Sequence, residues 1–67
     1  MPDHETLKAE IRKLSAQAMQ AKMDLHDLSE DLPLNVENVI AVAERVRDAY
    51  AALTAKRSEL KALETSA

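Results

Sequence analysis

The fold is decided by an acidic, leucine-spaced stretch that ends in proline, MDLHDLSEDLP, residues 23–33. Leu25, Leu28 and Leu32 recur at spacings of three and four, so they share one face of a helix. Pro33 disfavours helical geometry at the residue before it and lacks a backbone donor. The stretch therefore predicts the end of one helix and a turn.

Outward from Pro33, each half of the chain repeats a seven-residue hydrophobic rhythm. The N-terminal seam comprises Leu7, Ile11, Leu14, Ala18, Ala21, Leu25, Leu28 and Leu32. The C-terminal seam comprises Val39, Val42, Val46, Ala49, Leu53, Lys56, Leu60 and Leu63. Steps that alternate between four and three residues are typical of a coiled-coil seam. Two such helices joined by a short turn predict an all-α, coiled-coil-like antiparallel hairpin, in which small residues of one seam meet larger residues of the other.

The same signals predict the boundaries within one domain, residues 1–67. We expect helix 1 over about 4–32, a turn at about 33–35 and helix 2 over about 36–64. Asp3 is the predicted N-cap of helix 1 and Asn35 that of helix 2. Leu34 and Val39 have the spacing of a hydrophobic staple around Asn35. Residues 65–67 are expected to fray.

Composition narrows the class of protein. The chain has no glycine, no cysteine and one aromatic residue, Tyr50, which disfavours strands and excludes disulfides and thiolate metal sites. A net charge of −3 disfavours a general nucleic-acid binder. No apolar run approaches the roughly 20 residues of a membrane span, and the N-terminus lacks the pattern of a signal peptide. We therefore expect a cytoplasmic protein that makes no membrane contact.

A single hairpin of this length leaves much of its seam in water, and so small a core is marginally stable. We predict that hairpins pair into a four-helix bundle, as a homodimer or a higher homo-oligomer. Helix 1 carries a second apolar face, and its candidate dimer residues are Ala16, Met19 and Met23. A different protein is the alternative occupant of this face.

Four carboxylates crowd the last two turns before Pro33. The C-terminal end of a helix is the negative end of its dipole, so each exposed anion there costs about 0.3–1 kcal/mol. Sequences break such local rules at functional sites, which makes this tip a candidate surface for partner recognition. A solvated tip that keeps the rod soluble is the alternative. The candidate partner-binding residues are Asp24, His26, Asp27, Glu30 and Asp31.

The tip also suggests a metal site. His26 and Glu30 lie four residues apart with Asp27 beside them, so these three side chains are candidate ligands for a divalent transition metal. Three ligands make a weak site unless a second tip completes it, and an ordinary solvated helix contact is the alternative. No cofactor is required. A two-helix rod offers no dry, concave pocket around a nucleophile, which predicts that the protein is not an enzyme.

Folding the chain at Pro33 places a set of cations at the open end of the hairpin. This basic open end comprises Lys8, Arg12, Lys13, Lys56, Arg57 and Lys61. Such a cluster favours the phosphate backbone of RNA, and an RNA-binding homodimer is the alternative function. Interleaved acids and the absence of stacking aromatics argue against it. The interleaved acids are Glu5, Glu10, Glu59 and Glu64.

Two runs, residues 13–18 and 22–33, resemble the small Rop-like family of uncharacterised proteins encoded in bacterial nitrogen-fixation operons. The resemblance implies a paired helical hairpin that works beside nitrogenase or its cofactor assembly. Some relatives are labelled metalloproteins, which favours a metal at His26. Rop itself is an RNA-binding dimer of hairpins, but likeness of fold carries no function. We therefore predict a non-catalytic accessory protein that acts through an acidic, His-containing tip, with a Rop-like RNA-binding homodimer as the alternative.

Overall fold

The structure, a computed structural model, describes residues 3–65. Helix α1 spans His4–Asp31 and helix α2 spans Val39–Thr65. A connection that contains one 3-10 turn, Val36–Asn38, joins them. The two helices pack against each other along their length, and the described part of the chain contains no strand. The prediction of an all-α helical hairpin is confirmed.

Helix α1 begins where the sequence placed its cap. The Oδ1 atom of Asp3 accepts a hydrogen bond of 2.8 Å from the backbone N–H of Thr6. The backbone carbonyl of Asp3 accepts from the N–H of Leu7 at 3.0 Å. Because the Thr6 N–H stabilises the ionised carboxylate, the pKa of Asp3 lies below its usual value. The predicted N-cap is confirmed.

Pro33 ends α1 by its effect on the residue before it. Leu32 adopts φ −54° and ψ 140°, the extended region that a following proline favours. Its N–H still donates to the Leu28 carbonyl at 3.1 Å, so Leu32 acts as the C-cap of a helix that stops at Asp31. The Leu32–Pro33 peptide bond is cis.

The start of helix 2 differs from the prediction. Asn35 does not cap the helix through its side chain; it takes the left-handed conformation, with φ 60°. In a chain without glycine, asparagine is the residue type that best tolerates this conformation. A 3-10 turn follows, opened by a 2.9 Å bond from the N–H of Asn38 to the carbonyl of Asn35. Because α2 starts only at Val39 and Leu34 is exposed, the predicted staple is wrong.

The predicted seams supply the core. Among residues 3–65, the buried apolar side chains all belong to them: Leu7, Ala18, Leu28, Val42 and Leu53. The other seam residues are half-buried, except for Leu32 and Leu63 at the two ends, which are exposed. Burying these side chains removes apolar surface from water, which is the main stabilising contribution in so small a fold.

Three polar contacts tie the helices together across the seam. Near the connection, Arg45 Nη1 lies 3.9 Å from Asp24 Oδ2. Further along, Lys56 Nζ lies 3.1 Å from Glu10 Oε2. At the open end, His4 Nε2 lies 3.0 Å from Glu64 Oε2. The order of these contacts along the rod agrees with the antiparallel register that the seams predict.

Helix α2 is longer than predicted at its C-terminal end. Thr65 was expected to fray but remains helical, and its hydroxyl donates to the Lys61 carbonyl at 3.0 Å. Ser66 and Ala67, which are also predicted to fray, lie outside the described residues. So do residues 1 and 2, which belong to the N-terminus on which the signal-peptide prediction rests.

The hairpin is a rod of 51 × 16 × 15 Å. Its radius of gyration is 15.2 Å. A compact domain of the same length has a radius of gyration of about 11 Å. Neither helix in residues 3–65 combines the length and the apolar character that a bilayer crossing requires. A rod of this kind presents most of its residues to solvent, so its functional surfaces lie on its outer faces and at its two ends.

Candidate interaction site

The acidic residues of the tip occupy the last two turns of α1, as the sequence predicted. His26, Asp27, Glu30 and Asp31 are exposed. Helix α1 has no basic residue in its last turn. The carboxylates therefore stand at the negative end of the helix dipole without a neighbouring cation on their own helix, which is unfavourable in the isolated chain.

The imidazole of His26 lies between two carboxylates that face its opposite nitrogens. Its Nε2 atom is 3.2 Å from Glu30 Oε1, and its Nδ1 atom is 3.8 Å from Asp27 Oδ1. A metal bound at Nε2 would have Glu30 beside it and Asp27 on the far side of the ring. Second carboxylates commonly orient metal-binding histidines from that side, although the 3.8 Å separation here is longer than a hydrogen bond.

The structure thus does not gather the predicted ligands His26, Asp27 and Glu30 around one point. Within residues 3–65, no three or more His, Asp or Glu side chains are grouped so that they could hold a metal ion. One chain offers two ligands and an orienting group, which is fewer than the four of a closed zinc site. Metal binding at the tip stays a prediction, and further ligands would have to come from a second molecule.

Asp24 stands apart from the other predicted recognition residues. It is half-buried against α2, where its Oδ1 atom accepts a 2.9 Å hydrogen bond from Gln20 and its Oδ2 atom faces Arg45. The structure therefore uses Asp24 within the hairpin. The remaining four tip residues, His26, Asp27, Glu30 and Asp31, are free to face another molecule.

Sequence reasoning missed an apolar surface at the same end. We name it the apolar cap, and it comprises Leu32, Leu34, Val36 and Ile40. All four are exposed, Leu34 at 69% and Ile40 at 66%. In the sequence, Leu32 continues the rhythm of the seam and Leu34 has staple spacing, so neither stands out as exposed. One feature of the sequence does indicate this surface. The connection between the helices is rich in aliphatic residues, whereas turns usually contain polar ones.

The predicted dimer residues lie on the outer face of α1. Met19 and Met23 are just over half exposed, and Ala16 is exposed as well. This face is turned away from the seam with α2. It is accessible to a second copy, and the oligomeric state stays a prediction.

At the open end, cations and carboxylates alternate. Lys56 Nζ lies 3.1 Å from Glu10 Oε2, which is shielded from solvent, and 3.4 Å from Glu59 Oε2. The hydrogen bond to Glu10 and the two negative charges raise the pKa of Lys56 above its usual value. Beside this cluster lies an open groove of about 300 Å³, lined by Glu10, Lys13, Leu14, Gln17 and Lys56. Two carboxylates thus partly neutralise a cation that the RNA-binding alternative needs, and that alternative stays a prediction.

Comparison with known proteins identifies the family. A family model described as Rop-like matches residues 2–65. The chain belongs to the Rop-like family. This confirms the resemblance that the residues around the tip suggested.

This Rop-like protein is similar to several UPF0437 proteins, and the name of one of them gives the position of its gene. It is 52% identical to a UPF0437 protein of Azorhizobium caulinodans, over 100% of this chain and 97% of the relative. It is 47% identical to a UPF0437 protein of Trichormus variabilis, over 90% and 70% respectively. A relative from Frankia alni is named a UPF0437 protein in the nifX-nifW intergenic region; it is 54% identical over 61% of this chain and 50% of the relative. No solved structure shows significant similarity.

Proposed function

We propose that this Rop-like protein is a non-catalytic accessory protein of nitrogen fixation, which contacts nitrogenase or a protein of its cofactor assembly through the hairpin tip. The observation that carries the proposal is the similarity to the Frankia alni relative, whose name places it between two nif genes. Genes of one process commonly lie together in bacteria, so this position supports a role beside the nitrogen-fixation proteins.

The charges of the tip support recognition by electrostatic complementarity. Asp27 and Glu30 have His26 as their contact within residues 3–65, and Asp31 is exposed beside them. A basic surface on another protein would relieve the mutual repulsion of these anions and their unfavourable position at the helix end. Within residues 3–65, Asp27, Glu30 and Asp31 have no ion pair with a lysine or arginine, which favours a partner over a purely solvated tip.

A capture experiment with extract of nitrogen-fixing cells tests this role. The immobilised protein is compared with the Asp27→Asn, Glu30→Gln double variant, and Glu44→Gln on α2 serves as a control that removes an exposed carboxylate away from the tip. We expect the double variant to lose nitrogen-fixation proteins that the wild type and the control retain. Recovery of the same proteins by all three forms would discard the tip as the binding site.

The same tip is proposed to hold a divalent transition metal. His26 Nε2 and Glu30 would be ligands, with Asp27 as the orienting group and the partner supplying the rest. Calorimetry with zinc, nickel and iron(II) measures this directly. His26→Ala should abolish binding, and Asp27→Asn should weaken it about 10- to 100-fold. Titrations of wild type and His26→Ala that cannot be distinguished would end the metal proposal.

We further propose that the protein is a homodimer of hairpins. The chain exposes 5063 Å². A compact monomer of its 7.4 kDa mass exposes about 4,200 Å². The excess of roughly 900 Å² is close to what one partner buries in an interface of standard size. Sedimentation equilibrium at micromolar concentration should give twice the chain mass. A Met19→Glu, Met23→Glu variant should give the chain mass, and a folded wild-type monomer would contradict the proposal.

A further inference from the structure

The apolar cap is the densest group of exposed aliphatic side chains at the tip. Its members Leu32, Leu34, Val36 and Ile40 fall within residues 32–40, the connection and the first turn of α2. A single exposed leucine needs no explanation, but adjacent exposed aliphatic residues mark contact surfaces. None of these four side chains is among the buried residues of the described chain, so they contribute little to the core of the hairpin.

An acidic rim surrounds the cap. Residues 23–44 contain no lysine or arginine, and the exposed carboxylates of the tip are Asp27, Glu30, Asp31 and Glu37. Asp31 immediately precedes the cap and Glu37 lies within it, and both are exposed. The backbone carbonyl of Asp31 accepts a 3.0 Å hydrogen bond from the N–H of Leu34, so the rim and the cap are folded together. The end of the rod is therefore an aliphatic centre with a negative border.

We propose that the apolar cap inserts into an apolar groove of a partner protein whose border carries lysine or arginine. This inference rests on the proposed function, in which the tip contacts a partner. It adds that the aliphatic residues, rather than the acids, provide most of the affinity. Interfaces commonly combine an apolar centre that supplies affinity with a charged rim that supplies orientation and association rate.

The negative charge of the rim discriminates among the molecules that could contact the cap. A second copy docking tip to tip would bring two acidic rims together, and a bilayer of anionic lipids would repel the same charges. The basic open end of a second copy has the right charge, but Leu14 is the one aliphatic residue among the five that line its groove, so that groove offers little apolar surface to the cap. A separate protein with an apolar groove and a basic border satisfies both the aliphatic and the acidic residues.

The dimensions of the tip require a groove. The rod is 16 × 15 Å in cross-section, so its end projects an area of roughly 240 Å², whereas an interface of standard size buries about 800 Å² of accessible surface per partner. A flat contact with the end would thus be too small. A groove that also covers the sides of the last turn of α1 would reach a larger area, and its border would then face Asp27 and Glu30.

Photo-cross-linking tests the proposal on the full chain. A photo-cross-linking amino acid replaces Val36 in the cap, Met19 on the outer face of α1 or Arg57 at the open end, and each form is irradiated in extract of nitrogen-fixing cells. We expect the Val36 form alone to give an adduct with a separate protein. Mass spectrometry should map the adduct to a segment that combines aliphatic or aromatic residues with lysine or arginine.

Matched variants separate the contributions of the cap and the rim. With the purified partner, a Leu34→Ala, Ile40→Ala variant should bind about 30-fold more weakly or worse, the loss typical of a central contact. An Arg47→Ala variant truncates a side chain on α2 that is 69% exposed and lies outside both the cap and the proposed dimer face, and it should bind within about twofold of wild type. Circular dichroism verifies that each variant is folded.

Several outcomes would overturn the inference. In the cross-linking experiment, these are an adduct at Val36 with a second copy or with lipid, an adduct with an acidic or purely polar segment, and no adduct at Val36. In the binding experiment, it is a cap variant that binds like wild type. If the Asp27→Asn, Glu30→Gln variant loses the partner while the cap variant retains it, this inference fails and the proposed function stands. If neither variant loses it, both fail.

Discussion

Replacing Leu53 by alanine probes whether the seam holds the hairpin together. Leu53 is 3% exposed, so nearly all of the about 1.5–3 kcal/mol of transfer free energy of a leucine side chain is realised in the fold. Adding the cavity that remains brings the expected loss of unfolding free energy to about 2–5 kcal/mol. A chain of 67 residues has a total of roughly 3–10 kcal/mol, so the substitution removes a large part of it.

Leu34→Ala is the matched control, since it deletes the same atoms from a side chain that is 69% exposed. We expect it to change the unfolding free energy by less than about 0.5 kcal/mol. Both variants are measured by urea unfolding with circular dichroism, at several protein concentrations because pairing would make the stability concentration-dependent. Equal losses for the two variants, or a loss below about 1 kcal/mol for Leu53→Ala, would refute the assignment of the seam as the core.

Three further predictions concern the seam and the helix cap. Ala18 is 1% exposed, so Ala18→Leu should cost about 1–3 kcal/mol in thermal unfolding, whereas Ala51→Leu on the exposed face of α2 should be nearly neutral. The pKa of Asp3 is lowered below 3.8 in the fold, so its contribution to stability is present above pH 3.8 and lost as the pH falls through the folded value. Asp3→Asn, which caps without titrating, should lack that acid-side dependence in melts at decreasing pH. The pKa of Lys56 is raised above 10.5 by Glu10, so its contribution is present below pH 10.5 and lost as the pH rises through the folded value. Lys56→Met should remove this alkaline dependence, and at neutral pH it should lower the free energy of unfolding, because it leaves the solvent-shielded Glu10 oxygen without its cation; unchanged stability at pH 7 would contradict this.

The candidate site could be predicted only in part. The acids stood out because anions are unfavourable at the C-terminal end of a helix. A run of acidic residues before a proline can be read from the sequence without coordinates. The exposure of the apolar cap was not visible, because Leu32 continues the seam rhythm and Leu34 has staple spacing. Likewise, four-residue spacing put His26 beside Glu30, but only the placement of the ring revealed that Asp27 faces its other nitrogen.

Local rules sufficed for the architecture of this Rop-like protein. A seven-residue rhythm, a capping aspartate and a proline act over one or two turns, so they specify two helices and a reversal between them in any surroundings. Packing in three dimensions was needed for the rest. Whether Asn35 capped a helix or turned the chain left-handed, and whether Asp24 faced α2 or solvent, depended on how the second helix meets the first. Such contacts join residues far apart in the chain, and their geometry is set by the fit of the two seams.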